Sequence, residues 1–320
     1  MNGKMKLAVA SVLTALALVS SVLGQSGART DDSAKINAFS LNLISDEWTT
    51  LDFPGAIETG GTSITSSGDI IGGRYVTSDG LVHGFIWRKG QYSSIDFPGA
   101  FSTEGTWLND RGEIVGAYNN GANHAFLLKG GEFATIDYPG HVNTIATNIG
   151  ADGTIVGVGS SAGIGFEGFI LRHGTFIPVQ LQGPSIAFQE PTDIAANLIV
   201  GGYFDNLGLH GYMRDRQKRF HTVDCPGATG GVFLSGIDPV GRMLGGMITA
   251  DGHQHGVLVS EGICIAVDFP ESTASYVNAI NGRGDIVGRY TDPSGHTHAF
   301  VVKHFVGNRN DLPDLPCTHH

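Results

Sequence analysis

One sentence is written six times along this chain, and a good copy reads EFATIDYPG, then a variable stretch, a hydrophobic residue, a turn ending in Gly, IVG and HAFLLKG. The landmarks are Asp52-Phe53-Pro54-Gly55, Asp96-Phe97-Pro98-Gly99, Asp137-Tyr138-Pro139-Gly140, Asp224-Cys225-Pro226-Gly227 and Asp268-Phe269-Pro270, with a worn copy at Gln180-Leu181-Gln182-Gly183. They recur every 41–45 residues or so, the period of propeller blades built from four short strands. Such a period constrains the fold more than length does. A chain of 320 residues would by itself suggest two domains, but repeats of this kind stack into one body.

Each copy parses into four strands. The first, as in Phe133-Ala134-Thr135-Ile136-Asp137, ends at Pro-Gly, where Pro fixes φ and Gly tolerates positive φ. The second ends at Ile64, Leu108, Ile149, Ile194, Ile237 or Ile280, before a turn such as Asn109-Asp110-Arg111-Gly112. The third is Ile-Val-Gly-like, and its run of β-branched residues predicts burial on both faces, with the Gly admitting a neighbouring sheet. The fourth opens with His-Gly-Phe or His-Ala-Phe. No helical period follows the first segment of the chain. The expectation is an all-β, six-bladed β-propeller of four-stranded antiparallel blades. The Ile/Leu-ending strand lies innermost and the Asp-Phe-Pro-Gly strand outermost. Trp48-Thr49-Thr50-Leu51 then lacks a blade before it and the last blade lacks an outer strand, so the N-terminal strand completes the C-terminal blade and removes two open edges.

The repeat spans 47–306. Residues 1–24 read as a signal peptide: Lys4 and Lys6, then an apolar run, with Val22 and Gly24 before the cut. An uncleaved anchor is the alternative. Residues 25–46 form a lead-in holding one candidate strand, Ile36–Leu41, and 307–320 form a tail. The expected location is extracytoplasmic, secreted or periplasmic. With net charge −11 and no basic run, nucleic acid and anionic membrane are excluded as expected partners. Three cysteines, Cys225, Cys264 and Cys317, permit one disulfide and leave a thiol over. Spacing does not choose the pair, and Cys225 also reads as a small buried apolar residue in a Phe/Tyr slot.

The triplets His124-Ala125-Phe126 and His298-Ala299-Phe300, each after a Gly-containing turn and an Ile-Val-Gly strand, resemble the HAF repeat family of extracellular bacterial repeat proteins. The resemblance covers residues 47–306. Other copies depart from the triplet: His83-Gly84-Phe85, Glu167-Gly168-Phe169, His210-Gly211-Tyr212 and His255-Gly256-Val257. The resemblance implies export and a propeller-like array. It implies no established activity and supplies no catalytic residues.

Two sets of repeated residues read as structural. His83, His124, His210, His255 and His298 share one slot, and Asp52, Asp96, Asp137, Asp224 and Asp268 another. Equivalent residues of different blades lie too far apart to share one ion, so no metal and no cofactor is expected. A hydrogen bond from each His within its own blade, to the recurring Asp, is the simpler role. The turn residues Asp79, Asp205, Asp251 and Asp292 lack calcium-loop spacing. The loops leading from outer strand to next inner strand vary, and loops on a rigid scaffold carry binding. Glu58, Glu104, Trp107, His141, Glu190, Asp193, Phe233, Glu271 and Tyr276 are therefore the candidate ligand-binding residues, expected to converge at one mouth of the channel. Aromatic rings and carboxylates suit a polysaccharide; an extracellular protein is the other candidate partner, and the chain is expected to act as a monomer. No phosphate loop, nucleophile elbow, CxxC or HExxH is present. The expected function is a non-catalytic binding or scaffold module. A carbohydrate-active hydrolase or lyase using a carboxylate pair is the alternative.

Overall fold

A computed structural model describes residues 47–303, except 163–164, 182–185 and 187. The candidate strand at 36–41, the leader and Cys317 lie outside the described residues. Twenty-four strands form six separate four-stranded antiparallel sheets. The inner strands are Glu58–Ile64, Ser102–Leu108, Asn143–Ile149, Phe188–Ala195, Gly231–Ile237 and Ala274–Ile280, in blades 1 to 6. Each of them contacts the next, and the sixth contacts the first, which closes the ring around a central channel. The Ile/Leu-ending strand is thus innermost. The N-terminal strand Trp48–Leu51 pairs with Thr297–Val302 of blade 6, Trp48 opposite Val302 and Leu51 opposite Ala299. The chain's first described strand therefore supplies the outer edge of its last blade.

The sheets share no strand pairing, so side chains must join them. Each inner strand carries a bulge, and the residue at the bulge is Thr62, Thr106, Thr147, Thr192, Ser235 or Asn278. Five of these six donate to a carbonyl of the following blade. Thr62 Oγ1 reaches Thr106 O at 2.8 Å, Thr147 reaches Pro191 O at 2.6 Å, Thr192 reaches Leu234 O at 2.8 Å, Ser235 reaches Val277 O at 2.6 Å, and Asn278 Nδ2 closes the circle on Gly61 O at 2.7 Å. All five are buried or part-buried, where a satisfied hydrogen bond contributes about 1 kcal/mol and an orphaned one costs more. Thr106 alone has no partner for its hydroxyl; its strand has the wider irregularity, between Glu104 and Trp107.

Counted outward from the axis, the Ile-Val-Gly-like strand is strand two of its blade and the His-Gly-Phe-like strand is strand three, and the repeated glycine of strand two serves that bulge. A Cβ on Gly73, Gly116, Gly157, Gly201, Gly245 or Gly288 would come within 2.4 Å of an inner-strand carbonyl of its own blade. The expectation that the strand's glycine admits a neighbouring sheet holds at Gly72, whose Cβ would strike Thr106 O of blade 2; at these six positions it is corrected, since what approaches is the bulged strand beside it. In most blades the strand-three aromatic, such as Phe85 or Phe169, also lies against the same glycine.

The apolar core sits between blades. Val115 and Ala125 of blade 2 pack with Ala146, Ile149, Ile155 and Phe169 of blade 3. Near the outer rim a second kind of join recurs. The aromatic after the recurring Asp stacks on a Tyr of the next blade, which stacks on that blade's His. Phe53–Tyr75–His83, Phe97–Tyr118–His124 and Phe269–Tyr290–His298 have first spacings of 3.6–3.7 Å. The His then reaches the Asp that starts the next rung: His83 Nδ1 to Asp96 at 2.7 Å, His124 to Asp137 at 2.7 Å, His210 to Asp224 at 2.9 Å, His255 to Asp268 at 2.8 Å and His298 to Asp52 at 3.0 Å. Blade 3 has Gly159 in the Tyr slot, and a Cβ there would strike the rings of His141 and Tyr138. His141 fills that space, stacked on Tyr138 at 4.7 Å.

In four interfaces an outer-strand ring meets the same Phe or Tyr from the side, as in Phe53–Tyr92 at 5.5 Å, Phe97–Phe133 at 5.1 Å and Phe269–Trp48 at 5.4 Å; Tyr138–Phe176 at 5.1 Å is the tilted member. At blade 5 both rings are replaced by cysteine, and Cys225 is bonded to Cys264. Cys225 is buried, but its reading as a small apolar residue gives way to a covalent join standing where other blades use aromatic contact. The bridge closes a separation of 39 residues, worth about 4 kcal/mol in the chain-entropy model. Reduction should lower the denaturation midpoint by that order, measured by urea unfolding with and without reductant. The double variant C225F/C264F should respond to reductant no longer and recover part of the loss; if it unfolds as readily as the reduced protein, the equivalence of bridge and ring pair is wrong.

Candidate functional site

Inner strands start on the face that also carries the Asp-Phe-Pro-Gly turns, and end on the opposite face. That opposite face is tied shut by its own turns. Asn109 Nδ2 donates to Gly150 O, Asn281 Nδ2 to Thr65 O and Ser66 N to Asp110 Oδ1, each across a blade boundary. Glu113 is buried there, which pushes its pKa up, but hydrogen bonds from Asn109, Lys129 and Arg111 outweigh burial and hold it at about 2. The turn residues Asp79, Asp205, Asp251 and Asp292 accept hydrogen bonds from backbone N–H groups of their own turns.

The loop face is different. In blades 1 to 3 the residue just before the inner strand has its backbone N–H bonded to its own blade: Ile57 to Val76 O, Phe101 to Asn119 O and Val142 to Ser160 O. Its side chain is left outward: Ile57 is 50%, Phe101 66% and Val142 63% exposed. These three apolar residues occupy one repeat position in consecutive blades, so they form an arc around the mouth. Single exposed apolar residues need no explanation; here three share one position of the repeat on neighbouring blades.

Below that rim a second repeat position holds Gly60, Glu104, Ile145, Glu190, Phe233 and Tyr276, opposite Arg74, Ala117, Val158, Gly202, Gly246 and Arg289 in strand two. Four of the nine candidates fall on this one level. Phe233 and Tyr276 are buried, their rings laid over Gly202 and Gly246 of the preceding blades. Glu190 is fully buried, and neither carboxyl oxygen has a hydrogen-bond partner. Burial pushes its pKa up to about 8. Its charge would be felt by Tyr276, two blades on, and by Tyr212 of its own blade, whose buried hydroxyl is also unpartnered. Burial likewise raises Tyr276 to about 12, against the opposing pull of Arg289. These side chains plug the channel.

Other candidates are dispersed. Glu58 is at the rim and faces Arg74 at 3.9 Å. Glu271 is exposed in the blade 6 loop at φ 61°. His141 belongs to the rim stack, with Nε2 3.4 Å from Glu167. Trp107 does not reach the mouth: it folds over Gly105 and packs on the core between blades 2 and 3. Asp193 lies past the bulge, where it accepts N–H groups of Ile194 at 2.6 Å and Ile237 at 2.7 Å and so ties blade 4 to blade 5. Burial pushes Asp193 up to about 7 in spite of those two bonds, with Asp238 adding to the rise. Convergence of all nine residues is corrected by these two. The bulge explains both, since it changes the facing of every residue after it. Ile57, Val142, Arg74 and Arg289 were missed. Aligning the copies column by column shows the first two, with Phe101, as large apolar residues at a strand start in the first three copies, whereas nothing in the sequence marks the arginines.

No family model matches the chain, and no curated protein matches it. Solved structures do. AofleA from Arthrobotrys oligospora is 11% identical, over 81% of this chain and 86% of its own, with a TM-score of 0.52. A gluconolactonase from Xanthomonas campestris is 11% identical over 79% and 88%, at 0.50. The chain spans about half (53%) of TolB from Acinetobacter baumannii, using 76% of its own length at 10% identity and 0.44. Likeness at this identity shows the propeller fold alone.

Glu190 makes stability depend on pH. Its folded-state pKa of about 8 exceeds a glutamate's ordinary 4.5, so the unfolded chain releases the proton first. Stability present below pH 4.5 is therefore lost as pH rises toward 8. Asp193 acts in the same sense between 3.8 and about 7. Glu190→Gln should flatten the decline in urea midpoint between pH 5 and 8, and E190Q/D193N should flatten it further. An unchanged slope in the double variant would show that neither acid is held neutral.

Proposed function

We propose that this chain is an exported, non-catalytic binding module of the HAF repeat type, and that its loop face takes a glycan. The carrying observation is the exposed arc of Ile57, Phe101 and Val142 on a rim held by the inter-blade bonds. A flat ring such as Phe101 stacks on the apolar face of a sugar, and a preordered rim loses little entropy when it binds. The channel below is plugged by Glu190, Phe233 and Tyr276, and the candidate carboxylates are spread over four blades, which supports binding over bond cleavage. An extracellular protein is the other ligand that such a rim suits.

A second reading rests on Glu190. A carboxyl held protonated near neutral pH is what a glycosidase's general acid requires, and this reading needs the plug to open.

Retention of the purified protein on arrayed polysaccharides, with product release followed in the same wells, separates the two. Retention without products is expected, weakened about tenfold, or ~1.4 kcal/mol, by Phe101→Ala. Sugar release abolished by Glu190→Gln would establish the hydrolase instead. Retention unaffected by Phe101→Ala would remove the rim from the account.

A further inference from the structure

The level that plugs the channel has one gap. Five blades place Glu104, Ile145, Glu190, Phe233 or Tyr276 there, and blade 1 places Gly60. A methyl on Gly60 would sit 3.9 Å from Cβ and Cδ of Arg289 and 3.9 Å from Cγ of Arg74. The missing side chain therefore leaves a slot between the stems of two arginines, contributed by blades 6 and 1. Gly60 has no left-handed backbone that would demand glycine, and no atom crowds its missing Cβ. The backbone does not require this glycine, and the position, although buried, has room for a side chain between the two arginine stems.

The two guanidiniums are incompletely matched. Arg74 has only a long contact to Glu58, at 3.9 Å, and its side chain is 17% exposed. Arg289 is half-buried and lies over the ring of Tyr276 at 4.4 Å. Among the described residues no salt bridge and no hydrogen bond holds Arg289, and Glu58 reaches it only through longer-range charge. Burial lowers its pKa to about 10, with the like charge of Arg74 adding to the fall, so it stays cationic at neutral pH. Two neighbouring cations share one exposed carboxylate, Glu58, and so leave positive charge that a ligand anion would neutralise. Arginine's planar fork matches a carboxylate better than a lysine would, and stacking on Tyr276 holds one fork in place.

We propose that Arg74, Arg289 and the slot at Gly60 form a carboxylate-binding subsite, and that its ligand is a uronic-acid residue of an acidic glycan, seated with its ring toward Ile57 on the rim. This inference rests on the glycan reading of the loop face and specifies its ligand. A sugar acid is favoured over a peptide carboxylate because Gly60 follows the exposed rim residue Ile57 by three positions in the same blade, which suits a ring bearing its charge at one edge.

The test compares an oligogalacturonate with its methyl ester, which keeps the rings and removes the charge, by calorimetric titration of the purified protein. The acid form should bind at least tenfold more tightly than the ester, and added salt should shrink the difference. Arg289→Gln and Arg74→Gln should abolish the preference for the acid. Gly60→Leu, which keeps both arginines and fills the slot, should also remove the preference and serves if an arginine variant fails to fold. Equal binding of acid and ester by the unaltered protein would overturn the subsite and leave the glycan reading standing. Binding of neither form overturns the subsite, and neutral polysaccharides in the same series then decide whether the glycan reading falls with it. A C-terminal peptide carboxylate that binds where the sugar acid does not would also overturn it.

Discussion

Six sheets that share no strand pairing hold together here through one small device, a hydroxyl or amide at the inner-strand bulge that donates to the next blade's carbonyl. Thr62, Thr147, Thr192, Ser235 and Asn278 make that bond in turn. The bulge turns the side chain toward its neighbour, and the glycine of the adjacent strand gives the bulged carbonyl room. Remove the glycine and the carbonyl has no place; remove the bulge and the polar residue faces its own sheet. The ring is therefore set at its axis, where neighbouring blades come closest, and the wider spacing at the rim is bridged by larger groups.

At the rim those groups are aromatic rings, imidazoles and carboxylates, arranged so that each rung ends on the Asp that begins the next. The departures from the repeat are informative because they are matched. Gly159 in one slot goes with His141 in another, and the loss of two rings at blade 5 goes with a disulfide between their replacements. Worn copies have exchanged one means of joining blades for another. A reading of each column by itself takes Cys225 for a small apolar residue and Glu167 for a lost His.

The same logic separates scaffold from site. Residues serving the joins are buried or paired, and they recur. The candidate binding features do not recur: an apolar arc on three consecutive blades, and a pair of arginines beside one glycine. A repeat frees a few positions from structural duty, and chemistry gathers where the pattern is broken. Tyr212 is such a break in the worn fourth blade, a hydroxyl where other blades place apolar groups or phenyl rings, and it lies in the blade of the fully buried Glu190.

The sequence by itself determined the architecture, because a period near 43 residues with four strand signals per copy and orphan strands at both ends has one economical closure. It also marked His and Asp as structural, since five equivalent positions around a ring cannot converge. Only the tertiary structure decided which residues meet at the axis. Register at a bulge sets the facing of everything after it, so Trp107 and Asp193 turned away from the mouth while Arg74 and Arg289 turned toward the gap at Gly60. The cysteine pairing was likewise left to the fold, since proximity between adjacent blades depends on how they pack and not on spacing along the chain.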